Sequence, residues 1–122
     1  MLYYSKRSGL KAKYIMRDNI TGGALTETTF LILLAFSTPN HGYGVMQEIK
    51  ASTHGRVELG LGTLYGAINT LERKKWIKKM HVTKEGKKVY ELTEEGEKRV
   101  DIEIERLEEV LQIASQHRRK KK

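Results

Sequence analysis

The sequence of 122 residues contains no cysteine, which excludes a disulfide framework and a thiolate metal site. Its longest unbroken apolar run, Phe30 to Phe36, is far too short to cross a bilayer. The N-terminus is basic, but no apolar segment follows it as a signal peptide would require. These absences predict a cytoplasmic protein with no membrane partner. A chain of this length is expected to form one domain, since it is too short for two well-packed ones.

Patterns typical of catalysis are also missing. The histidines, at positions 41, 54, 81 and 117, are scattered and have no metal-ligand spacing. No nucleophile elbow, phosphate loop or pair of carboxylates stands out. We therefore expect no enzyme, no metal and no cofactor, and we interpret His41 as a structural residue of its turn.

Positive charge is abundant and unevenly placed. The formal net charge is +8, and residues 72–92 carry eight Lys/Arg against three acidic residues, whereas residues 93–111 carry three against eight. Both ends of the chain are basic. Basic clusters of this kind suit a polyphosphate partner, although a charge run is also commonly a solvated face.

Residues 60–77 are the stretch around which the chain is organised. The spacing predicts an amphipathic helix from Thr63 to Lys74 whose apolar stripe consists of Leu64, Ile68 and Leu71. The opposite face is small and hydrogen-bonding, and it ends in a cation. It carries Gly66, Asn69, Thr70 and Arg73, with Thr63 at its edge. Such a face suits a helix that reads polar edges at close range, while the alternative is an ordinary surface helix.

Two helices are predicted before this stretch. The first has Thr26 as a plausible N-cap and lies within the strongly apolar stretch from Leu25 to Phe36, and the turn containing Pro39 ends it. The second runs from Val45 to Ser52 and follows the residues His-Gly-Tyr-Gly at 41–44. Tyr43 is interpreted either as a hydroxyl donor to a phosphate or as a half-buried packing residue.

After residue 75 the apolar period changes from 3.6 to 2. Residues 76–83 and 87–92 are predicted strands joined at Lys84-Glu85-Gly86, with Lys87 and Lys88 beside the turn. Thr93 then caps a last helix. Its apolar residues recur at spacings of four and three and form a seam: Val100, Ile104, Leu107, Leu111 and Ala114. The seam packs either on its own domain or, as we favour, against a second subunit.

This order predicts a mostly α fold with a small β-hairpin (α+β), a winged helix-turn-helix domain followed by a dimerisation helix. The predicted boundaries are a basic extension (1–22), the DNA-binding domain (23–92), the dimerisation helix (93–116) and a basic tail (117–122). The tyrosines and lysines of the extension suit either an arm on a nucleic-acid backbone or a loosely ordered segment.

Over about residues 24–112 the chain resembles the PadR family of transcriptional regulators. The resemblance is carried by four segments: 25–35 (LTETTFLILLA), 41–49 (HGYGVMQEI), 62–66 (GTLYG) with Leu71-Glu72, and 89–96 (VYELTEEG). Gly66 and Leu61 stand where many members have proline. Lys75-Trp76 replaces the usual Gly-Leu at the start of the wing, so the helix before it loses its glycine terminator.

The resemblance implies a dimeric, ligand-responsive repressor in which Tyr43, Thr63, Tyr65 and Gly66 lie near the DNA. With the polar face of the helix and the wing, the full predicted DNA-binding set is Tyr43, Thr63, Tyr65, Gly66, Asn69, Thr70, Arg73, Lys84, Lys87 and Lys88. The implied partners are double-stranded DNA with a pseudo-palindromic operator, a second copy of the chain, and a small aromatic or drug-like effector. The alternative is a winged-helix module used for protein or RNA contacts.

Overall fold

The computed structural model describes residues 23–120, so the predicted arm at 1–22 lies outside the described residues. The helices are α1 (Glu27–Ala35), α2 (Gly42–Ser52), α3 (Leu61–Arg73) and α4 (Glu94–Lys120), and the strands are β1 (Asn40–His41), β2 (Ile77–Val82) and β3 (Lys88–Leu92). Residues Thr26–Arg99 form one compact unit, and the described part of a second consists of residues 23–25 and 100–120. None of the helices within residues 23–120 is both long and apolar enough to cross a membrane.

Helix α1 supplies the centre of the core of the first unit. Its N-cap is Thr26, as predicted, whose hydroxyl accepts a hydrogen bond of 3.2 Å from the amide of Thr29. Ile32 and Leu33 are fully buried, because this helix is apolar on most of its circumference. Helices α2 and α3 pack on it through one face each, and the side chains they bury are Val45, Ile49, Leu64, Ile68 and Leu71.

Helix α2 begins at Gly42, three residues before its predicted start. The reason is its cap: His41 has an extended backbone, and its Nδ1 accepts a 3.1 Å hydrogen bond from the amide of Gly44. A histidine cap lies outside the usual Ser, Thr, Asp and Asn preference, so the sequence pattern favoured the first apolar residue, Val45, as the start.

The wing is the hairpin formed by β2 and β3. It belongs to a three-stranded antiparallel sheet with the order β1-β3-β2, whereas only the two strands of the hairpin were predicted. Strands β2 and β3 form the predicted hairpin, with an irregularity between Lys79 and His81. The additional strand β1 pairs Asn40 with Tyr90 and His41 with Val89. It anchors the wing to the segment that precedes α2.

The end of α3 has the hydrogen bonds of a glycine-terminated helix, although the residue in the critical position is Lys75. Its φ is +63°, in the left-handed region. The amide of Trp76 donates to the carbonyl of Leu71, and the amide of Lys75 donates to that of Glu72, both at 3.0 Å. This is the Schellman pattern. Lys75, which stands where glycine is usual, therefore keeps the turn that ends α3. The cost is a more strained backbone, because a residue with a side chain adopts the left-handed conformation less easily than glycine does.

Helix α4 starts against the same turn. The hydroxyl of Thr93 accepts from the amide of Gly96 at 3.0 Å and caps the helix, as predicted. Gly96 has no room for a side chain, because a Cβ there would collide with the carbonyl oxygen of Trp76. Two cations lie over the indole of Trp76, with Lys74 Nζ 5.1 Å and Arg99 Cζ 5.4 Å from its ring centre.

In the second unit, α4 continues from Val100 to Lys120 and so extends beyond its predicted end at residue 116. The sequence there contains no glycine or proline to stop it, and basic residues are favourable in a last turn. The carboxylate of Glu103, only 1% exposed, accepts two hydrogen bonds from Arg106, at 3.1 and 2.6 Å.

Candidate nucleic-acid interface

Helix α3 has one buried face and one free face. Leu64, Ile68 and Leu71 are at most 1% exposed and hold the helix on the core. Of the five residues on the predicted polar face, four are exposed and one, Thr70, is half-buried. The exposed members are Thr63, Gly66, Asn69 and Arg73. The side-chain orientation predicted from the helical period is therefore the one that the structure has.

Thr70 and Arg73 are linked to each other on this face. The hydroxyl of Thr70 donates to the carbonyl of Gly66 at 3.0 Å and accepts from Nη2 of Arg73 at 3.2 Å. The guanidinium retains its other donors for an outside acceptor. Thr70 thus orients Arg73, in addition to being a candidate contact itself.

A groove of about 450 Å³ lies where α3, the start of α2 and the tip of the wing meet. It brings together five members of the predicted set: Tyr43, Tyr65, Asn69, Lys87 and Lys88. The other five do not line it: Thr63, Gly66, Thr70, Arg73 and Lys84. Two phenols, an amide and two ammonium groups around one groove form a donor-rich surface that suits an anionic, hydrogen-bond-accepting ligand.

Five residues that line the groove were absent from the predicted set: His41, Gly42, Ile68, Gly86 and Tyr90. Because Nδ1 of His41 accepts the capping bond from Gly44, the neutral ring carries its proton on Nε2. Tyr90 packs edge-on against Phe36, with ring centres 6.0 Å apart. Burial, followed by the nearby Glu72 and Tyr65, raises the pKa of Tyr90. The apolar composition of β3 was a signal for a buried Tyr90, whereas its pairing with Asn40 of β1 was not predicted.

The wing tip presents its lysines by a tight turn. The amide of Thr83 donates to the carbonyl of Lys87 at 2.8 Å, and Gly86 adopts a φ of +86° that glycine tolerates best. Lys84, Lys87 and Lys88 are exposed. In the described part of the chain none of these three forms an ion pair, so their charge is available to a partner.

The predicted seam on α4 changes character along the helix. Val100 is buried at 7% exposure, Ile104 is half-buried, and Ala114 is exposed. Leu107 and Leu111 are 41% and 68% exposed. The C-terminal half of this helix therefore presents an apolar face to solvent. Within residues 23–120, no group of three or more His, Asp or Glu side chains could hold a metal ion.

A helical domain with one exposed polar helix beside a basic β-hairpin defines the winged helix-turn-helix class, which many DNA-binding proteins use. The sequence model of the family described as "Transcriptional regulator PadR-like family" matches residues 30–102. The chain belongs to this family, and its resemblance to PadR regulators is confirmed. No curated protein matches the chain in a sequence search.

Solved structures agree with the assignment. A transcriptional regulator from Clostridium thermocellum is 25% identical, with a TM-score of 0.66 over 81% of this chain and 93% of that one. RosR of H. salinarum, in one of its complex structures, is 26% identical, with a TM-score of 0.56 over 72% of each chain. A PadR family regulator from Clostridium difficile has the same fold, with 23% identity and a TM-score of 0.64 over 75% of this chain and 98% of that one.

Proposed function

We propose that the chain is a sequence-specific regulator that binds double-stranded DNA as a homodimer. The observation that carries this proposal is the groove in which the predicted residues of α3, the start of α2 and the wing meet. Separate parts of the sequence supply phenol, amide and ammonium donors to one surface. A duplex offers such a surface rows of phosphate acceptors flanked by base edges.

Helix α3 is the element that enters the major groove in this proposal. Asn69 and Arg73 are exposed on its free face. Asparagine pairs in a bidentate manner with adenine, and arginine with guanine, and each such pair discriminates between bases by about 1–3 kcal/mol. Gly66 lies one turn before Asn69 on the same face, and the space that a Cβ there would occupy is open, so the helix backbone can approach the duplex closely.

The wing supplies affinity that does not depend on sequence. Lys84, Lys87 and Lys88 are exposed at its tip, and the last two also line the groove beside α3. Lysine neutralises phosphates as a point charge and releases condensed counterions. We assign these three lysines to the DNA backbone and the residues of α3 to its base edges.

Helix α4 forms the dimer in this proposal. Leu107 and Leu111 lie on one stripe of a helix that is otherwise rich in charged residues, and both are substantially exposed. Burying each of them is worth roughly 1.5–3 kcal/mol. A two-fold axis lets this stripe meet its own copy. Two recognition helices about one turn of the duplex apart, roughly 34 Å, then read a pseudo-palindromic operator.

We further propose that the bound dimer represses transcription and that a small aromatic or drug-like effector releases it. This part rests on the family. The experiment is a promoter fusion assayed with and without the regulator and with a panel of aromatic compounds. An increase in transcription on deletion of the regulator supports repression, and a decrease contradicts it.

DNA binding itself is tested by retardation of labelled duplex from the protein's own promoter region, with a scrambled duplex of the same composition as the control. We expect tighter binding to the promoter duplex than to the scrambled one. Equal binding to both contradicts sequence recognition. Binding to neither, with retention of a structured RNA or a protein partner, favours the alternative use of this fold.

A further inference from the structure

Gly42, the first residue of α2, lies directly against the ring of Tyr65 on α3. A Cβ placed on Gly42 would stand 2.9 Å from Cε1 of Tyr65 and 3.0 Å from both Cζ and Oη. Real Cβ atoms almost never approach a heavy atom closer than 3.0 Å. A side chain at residue 42 and the observed position of the Tyr65 ring therefore exclude each other.

The glycine two residues later serves a different neighbour. A Cβ on Gly44 would collide with the side-chain oxygen of Asn40, which accepts a 2.9 Å hydrogen bond from the amide of His41. The two glycines that flank Tyr43 thus make room for two different side chains of this protein. Of these two glycines, only Gly42 makes room for a residue of α3, which is Tyr65.

Packing alone holds the Tyr65 ring in place. Tyr65 is 50% exposed, and within residues 23–120 no hydrogen bond holds its hydroxyl. A half-exposed tyrosine without such a bond samples several positions unless a neighbour restricts it. The ring occupies the space that a Cβ on Gly42 would fill, and its hydroxyl oxygen is one of the three nearest atoms to that position.

We propose that Gly42 is a positioning residue for DNA binding, which holds the ring of Tyr65 across the groove so that its hydroxyl donates to a phosphate of the duplex. This inference rests on the proposed function. The groove also contains Lys87 and Lys88, which attract the phosphate, while the phenol supplies a directed donor. A ring that is already in position loses little conformational entropy on binding.

A double-mutant cycle tests the inference through Gly42→Ala, Tyr65→Ala and the double variant. We expect Gly42→Ala to weaken duplex binding by about tenfold, the size of one lost hydrogen bond to a charged group. The loss should be equal on promoter and scrambled duplex, since a phosphate contact carries no sequence information. In the Tyr65→Ala background, where the ring is gone, Gly42→Ala should cause no further loss.

Gly44→Ala is the matched control, because it also fills space in the first turn of α2 but does so against Asn40. Its loss should persist in the Tyr65→Ala background. If Gly42→Ala fails to fold, the double variant should still fold and bind as Tyr65→Ala does, because the ring that causes the collision has been removed. A double variant that binds more weakly than Tyr65→Ala overturns the inference.

A second readout needs no DNA. Fluorotyrosine labelling gives a fluorine NMR resonance for Tyr65, assigned by its disappearance in Tyr65→Phe. We expect this resonance to move in Gly42→Ala, and an unmoved resonance overturns the packing argument. Wild-type protein that binds no duplex overturns the proposed function and this inference together, whereas normal binding by Gly42→Ala overturns this inference alone.

Discussion

The hydroxyl of Thr93 donates a 2.6 Å hydrogen bond to the carbonyl oxygen of Lys75. The same hydroxyl caps α4 by accepting from the amide of Gly96. One side chain therefore joins the turn that ends α3 to the first turn of α4. The amide of Thr93 adds a third bond, to the carbonyl of Trp76 at 3.0 Å.

The first prediction concerns this link. Thr93→Val keeps the shape of the side chain but removes both hydroxyl bonds, so it should lower the free energy of unfolding by about 1–2 kcal/mol. Thr93→Ser keeps the hydroxyl and should lose much less. Urea denaturation followed by far-UV circular dichroism measures both variants. A loss in Thr93→Ser as large as that in Thr93→Val would mean that the hydroxyl contributes no more than the methyl group, and would contradict the prediction.

A second prediction concerns the left-handed backbone at Lys75. This conformation costs a side-chain-bearing residue roughly 1–2 kcal/mol, and glycine avoids the cost. Lys75→Gly should therefore raise the free energy of unfolding by about 1 kcal/mol. Lys74→Gly is the control, since it removes the same charge one residue earlier, where φ is −75°. There glycine gains nothing, and the contact with Trp76 is lost, so this variant should be less stable than the wild type.

The third prediction tests base readout by α3. Asn69→Ala and Arg73→Ala should each weaken binding to the cognate duplex by about 1–3 kcal/mol, and weaken binding to scrambled duplex by much less. Fluorescence anisotropy titrations at a fixed salt concentration measure both. Equal losses on every sequence would assign these side chains to phosphates, and no loss on either would mean that another face of the helix meets the DNA.

The fourth prediction concerns the salt dependence of binding. If Lys84, Lys87 and Lys88 each neutralise one phosphate, replacing all three with Ala should reduce the slope of log affinity against log salt by about 2.7, at roughly 0.9 per phosphate. The preference for cognate over scrambled duplex should remain. Lys98→Ala, which removes a lysine that pairs with Glu94 at 3.8 Å, serves as the control and should leave the slope unchanged. If the wing lies outside the interface, the triple variant will also leave the slope unchanged, which contradicts the prediction.

The fifth prediction concerns the dimer. Leu107→Glu places like charges across the two-fold axis and should give a monomer or an insoluble protein, with loss of specific DNA binding. Gln112→Glu introduces the same charge at an exposed position on another face of α4 and should leave the dimer intact. Sedimentation equilibrium at micromolar concentration distinguishes them. A monomeric wild type, or a Leu107→Glu protein that remains dimeric, contradicts the assignment of this seam.

The apolar patterns of the sequence were sufficient to predict the faces of the helices. Leu64, Ile68 and Leu71 were predicted to be buried from their spacing alone, because burying one stripe of a helix is a local consequence of its period. The cap at Thr26 was predicted for the same reason, since it depends on residues within one turn. The wing was predicted as a hairpin from its alternation and its glycine-containing turn.

Features that depend on distant residues were missed. Strand β1 has only two residues, too few for a period, and it exists because β3 offers it a partner. Half of the predicted DNA-binding residues share the groove. His41, Gly42 and Tyr90 join them through strand pairing and helix packing, which no local sequence pattern shows. The glycine that is usual at residue 75 indicated a left-handed terminator, but the sequence did not show that Lys75 would keep this conformation, which the hydrogen bonds around it impose.

Strand β2 lies at the edge of its sheet, with its outer backbone groups unpaired by any strand of the described chain. Such an edge is a template for sheet extension between molecules, and exposed apolar side chains such as Met80 and Val82 increase the hazard. The irregularity between Lys79 and His81 interrupts the flat run of donors and acceptors, and the lysines of the strand repel an identical edge. Two copies of the protein that meet edge to edge thus resist merging into one shared sheet, and this discourages aggregation at high concentration.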